Sequence, residues 1–201
     1  MKIIQPCIIA LCMIATSLSI NAQRIKLMEG DLSPLKNEKK INTEFTYDHM
    51  SVGKFDKEAD YIAKKKDEYN KKESGKGDKW AKDWVDDRQD KFEPKFNELF
   101  EKESEIATTG SKKEAKYTLI YKTTFTEPGF NIAIMRHNAE TNAEVWIVEA
   151  ANPAKVIAKI SVQKAQGRTF WGEDYDTGGR IAECYADAGK ALGRFIRKEI
   201  K

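Results

Sequence analysis

The sequence predicts an α+β fold, a mostly antiparallel sheet covered by a C-terminal helix, in the order β-α-α-β-β-β-α. Three observations carry that expectation. Alternating apolar and polar residues mark strands near 41–50 and again between 117 and 163. A charged stretch, 55–106, spaces its apolar residues by three and four, which marks an extended helical insertion between the first and second strands. The closing run "GGRIAECYADAGKALGRFIRK" gathers its large apolar residues into roughly a third of a helix wheel, the width of a core-facing stripe.

The first 22 residues read as a signal peptide. Lys2 supplies the charge, an apolar run extends from Ile8 to Ile14, and "SLSINAQ" offers a small-residue cleavage site after Ala22. The run is too short for a membrane span, which takes about 20 apolar residues. Leu11 precedes Cys12 where a lipoprotein signal places a small residue, so lipid anchoring at Cys12 is not expected. The reading is an exported chain, periplasmic or extracellular, with no integral membrane segment after cleavage. Cys7 and Cys12 leave with the leader, and Cys184 alone cannot form an internal disulfide. Packing must therefore hold the fold together, with Cys184 read as a small core residue.

Charge is abundant and balanced, 35 basic against 32 acidic residues over the full sequence. The signs interleave, as in "KEADYIAKKKDEYNKKE". Nucleic-acid binding calls for a basic stripe with stacking aromatics. No such stripe is visible, so nucleic acid is not an expected partner. The lysine clusters at 39–40, 64–66, 71–72 and 112–113 read as solvated faces.

Residues 23–40, with Gly30 and Pro34, read as a flexible arm ahead of a single domain, 41–201. "INTEFTYDHM" sets Ile41, Thr43, Phe45 and Tyr47 on one strand face. Phe55, Ala59, Ile62, Lys66 and Tyr69 form a thin stripe on the first helix. "SGKGD" ends it, and Asp78 is the expected N-cap of the next. Trp80, Trp84, Phe92, Phe96, Leu99 and Phe100 follow; Pro94 predicts a kink or restart near 92, since an interior proline costs about 3 kcal/mol. Trp80, Trp84 and Phe96 are the candidate ligand-binding residues. For the two tryptophans the favoured reading is packing, because large aromatics at helical spacing usually belong to a core.

"TTGSKK" reads as a linker, and "YTLIYKTTF" as a strand with Tyr117, Leu119, Tyr121, Thr123 and Phe125 on one face. "EPGF" suits a type II turn. "AEVWIVE" and "KVIAKISVQ" form the clearest hairpin, turning at Asn152-Pro153. Val156, Ala158, Ile160 and Val162 face one way and Lys159, Ser161 and Gln163 the other, so one sheet face is covered and the other at least partly wet. In the last helix Thr177 is the expected N-cap, and Ile181, Cys184, Tyr185, Ala188, Leu192, Phe195 and Ile196 make the core arc. Beside them run Ala182, Ala186, Gly189 and Gly193. A helical glycine costs about 1 kcal/mol relative to alanine, so this line predicts a close approach to a sheet or helix.

The chemistry-bearing inventory is thin. "DYDTGG" resembles a calcium loop, but counting from Asp174 puts Gly178 at position five and Tyr185 at position twelve, where ligands are required. A surface turn feeding the N-cap is the better reading. His49 and His137, the only histidines, lack a cysteine or carboxylate partner at metal-ligand spacing. No nucleophile-elbow, phosphate-loop or dinucleotide-loop pattern occurs. No catalytic residue, metal or cofactor is expected.

With those residues set out, the second half, about 115–198, is similar to known proteins. "AEVWIVEAANPAKVIAKISVQKAQGR" followed by "GGRIAECYADAGKALGRFIRK" resembles uncharacterised exported proteins of Gram-negative envelopes. It resembles more faintly the small α+β periplasmic domains of lipoproteins and of the curli secretion channel. The resemblance implies a long helix on an antiparallel sheet and an envelope protein without known catalysis, and it transfers no site residue. The functional expectation is a non-catalytic binding module whose partner is an envelope protein or a surface component, with the oligomeric state open. Two alternatives are a carrier holding a small apolar ligand between the Trp80–Trp84 helix and the sheet, and a hydrolase of unrecognised type.

Overall fold

Nine strands and four helices carry the chain in the computed structural model, which describes residues 23–132, 135–167 and 177–201. The expected leader lies outside the described residues, as do Asp174 and Asp176 of the calcium-like turn. In chain order the elements are β1 (Arg24–Gly30), β2 (Lys40–Thr46), β3 (Ser51–Val52), α1 (Glu58–Lys72), α2 (Lys76–Asp87) and α3 (Glu93–Ser104). Then come β4 (Ala107–Thr109), β5 (Tyr117–Glu127), β6 (Phe130–Ile132), β7 (Met135–His137), β8 (Ala139–Glu149), β9 (Asn152–Gly167) and α4 (Thr177–Glu199).

The α+β class stands as expected. The main sheet runs β1-β9-β8-β5-β2-β4, with β3 also beside β5. Its long strands β9, β8 and β5 pair antiparallel, and β1 does likewise with β9. The short strands β2, β3 and β4 join in parallel. Parallel neighbours need a long crossover. The charged stretch supplies it, since α1, α2 and α3 fill the connection from β2 to β5.

The arm expected at 23–40 is not loose. Arg24–Gly30 is an edge strand with Ile25 opposite Val162 and Leu27 opposite Ile160, and the turn after it buries Leu32 and Leu35. Ile25 and Leu27 alternate with Arg24 and Lys26, a strand pattern too short to outweigh the flanking glycine, proline and charge. The folded unit therefore begins by residue 24 rather than 41.

Two expectations about the helices met different outcomes. Asp78 does not cap α2: the cap position is Gly75, left-handed at φ 81°. Asn70 Oδ1 from the end of α1 accepts the Gly77 amide at 2.7 Å, and Asp78 pairs with Lys66 at 2.7 Å. Pro94 does mark a restart. A π-helical turn, Arg88–Phe92, separates α2 from α3, and Pro94 sits in the first turn of α3, where its missing N–H costs nothing.

β8 and β9 form the expected hairpin, turning at Ala150 and Ala151 so that Asn152 and Pro153 open the second strand. Pro128 and Gly129 make the expected bend after β5, and Gly129 takes φ 64°, a conformation glycine adopts without a steric cost. A β-bulge between Thr123 and Phe125 changes the face of the strand, so Thr126 is buried in place of the expected Phe125. A second irregularity at Lys164, φ 59°, does the same for β9 and puts Ala165 and Gly167 inside.

α4 closes the covered face against α3 and β9. Ile181, Cys184, Tyr185, Ala188, Leu192 and Ile196 are at most 1% exposed. The glycine line faces α3. A Cβ on Gly189 would strike the Phe96 carbonyl, and one on Gly193 would lie 2.8 Å from the Phe100 carbonyl. The core beneath is aromatic: Phe45, Phe96, Tyr121, Tyr185 and Phe92 follow one another at centroid separations of 4.8 to 5.6 Å.

Candidate functional site

Trp80, Trp84 and Phe96 do not share a groove. The two tryptophans lie 5.5 Å apart and are 4% and 6% exposed, packed with Tyr61 and Tyr69 in the α1–α2 pair. Trp84 Nε1 donates to Glu58 at 2.6 Å, which satisfies the one polar group its burial would otherwise strand. Phe96 is fully buried in the main core against Phe45, Phe100 and Tyr121. The hollow beside the tryptophans holds about 360 Å³ and is lined also by Asp83, Asp87 and Lys91. It is polar, a poor match for a small apolar ligand.

A larger cleft of about 450 Å³ opens next to this cluster. Four pieces of chain converge on it: α1, the turn after β3, the turn after β5, and the start of α4. Along α1, Tyr61, Lys65 and Tyr69 recur every four residues and form one wall, because that spacing stacks side chains on one helix face. Phe55 and Phe130 add aromatic surface from the neighbouring loops. Lys54, Lys65 and Arg180 bring positive charge, against Glu127.

Arg180 fixes the floor. It is 7% exposed, and its Nε donates to the Pro128 carbonyl at 3.2 Å, tying the α4 start to the turn after β5. A buried guanidinium is tolerated only when its hydrogens find acceptors. Tyr61 lies between these groups. Burial, then Tyr69 and Glu127, push its phenol well above the usual tyrosine range while Arg180 pulls it down, so Tyr61 stays neutral. The cleft offers aromatic surface with cations at the rim.

Neither histidine lines the cleft, although His137 stands behind two residues that do. His49 is exposed in the loop before β3, with φ 61°. His137 is 57% exposed, stacks on Phe130 at 5.8 Å, and holds Nδ1 at 3.9 Å from Glu127, beyond hydrogen-bond reach. Cys184 is buried, and desolvation raises its thiol far above the ordinary value, which keeps it a thiol. No group of three metal-ligating side chains occurs among the described residues.

Below the tryptophans lies a half-buried polar knot. Glu58 takes Arg88 in an ion pair, and Arg88 lies over the Tyr47 ring, 4.2 Å from its centroid. Tyr47 donates to Glu93 at 3.3 Å, and the Tyr185 and Thr123 hydroxyls meet at 2.6 Å. The π-helical turn aims Arg88 at this knot and stacks Phe92 on Tyr185 at 5.1 Å. Such turns insert one extra residue and re-aim side chains, often at functional sites. Here the knot bolts α1, α2, α4 and the sheet together.

The open sheet face carries Trp146, with Lys122 Nζ 3.1 Å and Lys159 Nζ 5.1 Å from its ring centroid. Sequence reading passed over this site and the cleft. The alternation of "AEVWIVE" and the four-residue spacing of Tyr61, Lys65 and Tyr69 are the signals that could have pointed to them. The two turns that complete the cleft, at 52–55 and 127–130, lie more than seventy positions apart.

No family model matches the chain, and no curated protein does. Solved structures that resemble it include a PelC dodecamer from Paraburkholderia phytofirmans, at TM-score 0.35 and 10% identity over 83% of this chain and 97% of that one. A single-substitution variant of that dodecamer gives TM-score 0.36 and 9% identity over 83% and 98%. A likeness of that degree transfers no ligand, partner or assembly state. No helix among the described residues is long and apolar enough to cross a membrane.

Proposed function

We propose that this chain is a non-catalytic binding module of the cell envelope, and that the cleft beside α1 holds its partner, an envelope protein or a surface component. The observation that carries this reading is the cleft itself: aromatic surface from Phe55, Tyr69 and Phe130 beside a rim of Lys54 and Lys65. Export rests on the leader sequence, with the periplasm as the expected compartment. Aromatic surface supplies binding energy at little entropic cost, and rim charge supplies orientation. The carrier reading has weaker support, because the tryptophans are already packed and their adjoining hollow is polar.

The test is a photo-crosslinking amino acid at position 69 in the native envelope, compared with the same probe in a Lys54→Glu, Lys65→Glu background. A defined crosslinked partner that disappears in the charge-reversed protein supports the proposal. No crosslinked species above background, or one indifferent to both lysines, overturns it.

A further inference from the structure

β2 outruns its neighbour. On the side away from β5 its partner is β4, which pairs with Lys40, Ile41 and Asn42 and ends at Thr109, while β2 continues to Thr46. No described strand lies beside residues 43–46 on that side. The Lys39 carbonyl accepts the Ala107 amide, and successive strand residues point their backbone groups to opposite sides, so Ile41, Thr43 and Phe45 turn theirs toward this edge. At Phe45 no strand is there to receive them.

Burial records the gap. Ile41, beside β4, is fully buried, whereas Phe45, on the same face of the same strand, is half-buried although its ring packs on Phe96 and Tyr121. A groove of about 440 Å³ lies along this edge, lined by residues 43–46, by Glu93 and Asn97 of α3, and by Thr108, Thr109 and Gly110. Its charges are answered within the chain: Glu44 pairs with Lys112 at 2.8 Å, and Glu93 accepts from Tyr47 with Arg88 nearby. Asn97 is different. Its Oδ1 is buried with no hydrogen-bond partner among the described residues, and buried polar atoms are nearly always paired. What the groove leaves open is therefore a backbone edge and an acceptor. A row of strand N–H and C=O groups is matched by another extended backbone, which neither a lipid headgroup nor a small apolar ligand supplies.

We infer that this edge takes an extended segment of a second, different polypeptide as an added strand beyond the end of β4, and that its side chain facing α3 donates a hydrogen bond to Asn97. The inference goes beyond the partner proposed for the cleft, since groove and cleft share no lining residue.

A displayed library of random nine-residue peptides, panned on the folded full chain, tests it. Enriched peptides are expected to alternate β-branched residues with Lys, Arg, Asn or Gln, and to slow hydrogen exchange of the Phe45 amide about ten-fold or more. Gly110→Trp is expected to abolish binding without a change in fold, because a side chain at Gly110 has nothing within 4 Å and room to fill the groove. Asn97→Leu is expected to weaken binding roughly ten-fold while the melting temperature holds or rises, since it removes a stranded acceptor. Lys54→Glu with Lys65→Glu, which alters the cleft, is expected to leave peptide binding unchanged, so either site can fail alone. No enriched peptide, enriched peptides that bind the Gly110→Trp and Asn97→Leu proteins like the parent, or an unchanged Phe45 exchange rate overturns the inference. So does a parent that self-associates in size-exclusion chromatography and becomes monomeric with Gly110→Trp, which would give this edge to a second copy of the chain.

Discussion

At the scale of single residues, the glycines of α4 show how steric contact overrules propensity. Gly189→Ala in an isolated helix would gain about 1 kcal/mol. Here the added methyl meets the Phe96 carbonyl, a backbone group that cannot rotate away, and such overpacking costs about 1–3 kcal/mol. The expected outcome is a net loss near 1 kcal/mol and a lower denaturation midpoint. Gly110→Ala, with nothing within 4 Å, should stay within about 0.5 kcal/mol of the parent. The sequence showed that these glycines needed a packing reason. It did not show that the neighbour was α3, because two helices and a sheet could each supply a flat surface.

Glu93 gives a second test at this scale. Burial raises its carboxyl above 4.5, while the Tyr47 hydrogen bond and Arg88 hold it down, and burial prevails. Between the unfolded value and the higher folded one, the folded chain binds more protons, so this group's contribution to stability falls as pH rises through that window. Glu93→Gln removes that slope. Melting temperatures should show the variant gaining on the parent as pH rises above the ordinary glutamate range. Asp31, Asp78 and Glu103 have lowered values and act with the opposite sign, and they are common to both proteins.

At the scale of elements, the α1–α2 pair depends on its aromatic seam. The outer faces carry surface pairs such as Lys71–Asp67 and Lys79–Asp83, which water and salt screen. Trp80 and Trp84 do the packing. Trp80→Ala should cost about 3–5 kcal/mol, read as the shift in urea midpoint at constant slope. Most elements were legible from period alone: the β8–β9 hairpin, β5, and α4 with its arc from Ile181 to Ile196. Tyr61 was missed because it lies off the stripe through Phe55, Ile62 and Tyr69, and its place in the seam is set by Trp80 and Trp84 on the next helix. Asp78 was misread for a related reason. Asn70, eight positions earlier, accepts the Gly77 amide and donates its own side-chain amide to the Asp78 carboxylate.

At the scale of the whole molecule, local pattern reached the fold class but not the pairing. Nothing in "INTEFTYDHM" states that β2 runs parallel to β5, since that follows from three helices returning the chain to the same edge. The cleft was illegible for the same cause, because residues 54–69 meet residues 127–130 and 180 only after the crossover closes. β1 is the extreme case, a seven-residue strand whose partner lies more than a hundred positions away. Its hydrogen bonds reach only one neighbour, so hydrogen exchange in β1 should be faster than in β5 or β8, which are paired on both sides. Equal protection across the three strands would count against this order.

That edge strand also governs how the molecule can assemble in time. Pairing between distant segments is slow, because the loop must close before the contact rewards it. The β8–β9 hairpin closes through two residues and can form early, whereas β1 has no template until β9 is already in place. The strand nearest the start of the chain is thus the last to be seated, and until then Ile25 and Leu27 travel uncovered. A folding intermediate of this protein should be sticky at its beginning, where a chaperone would find its handle.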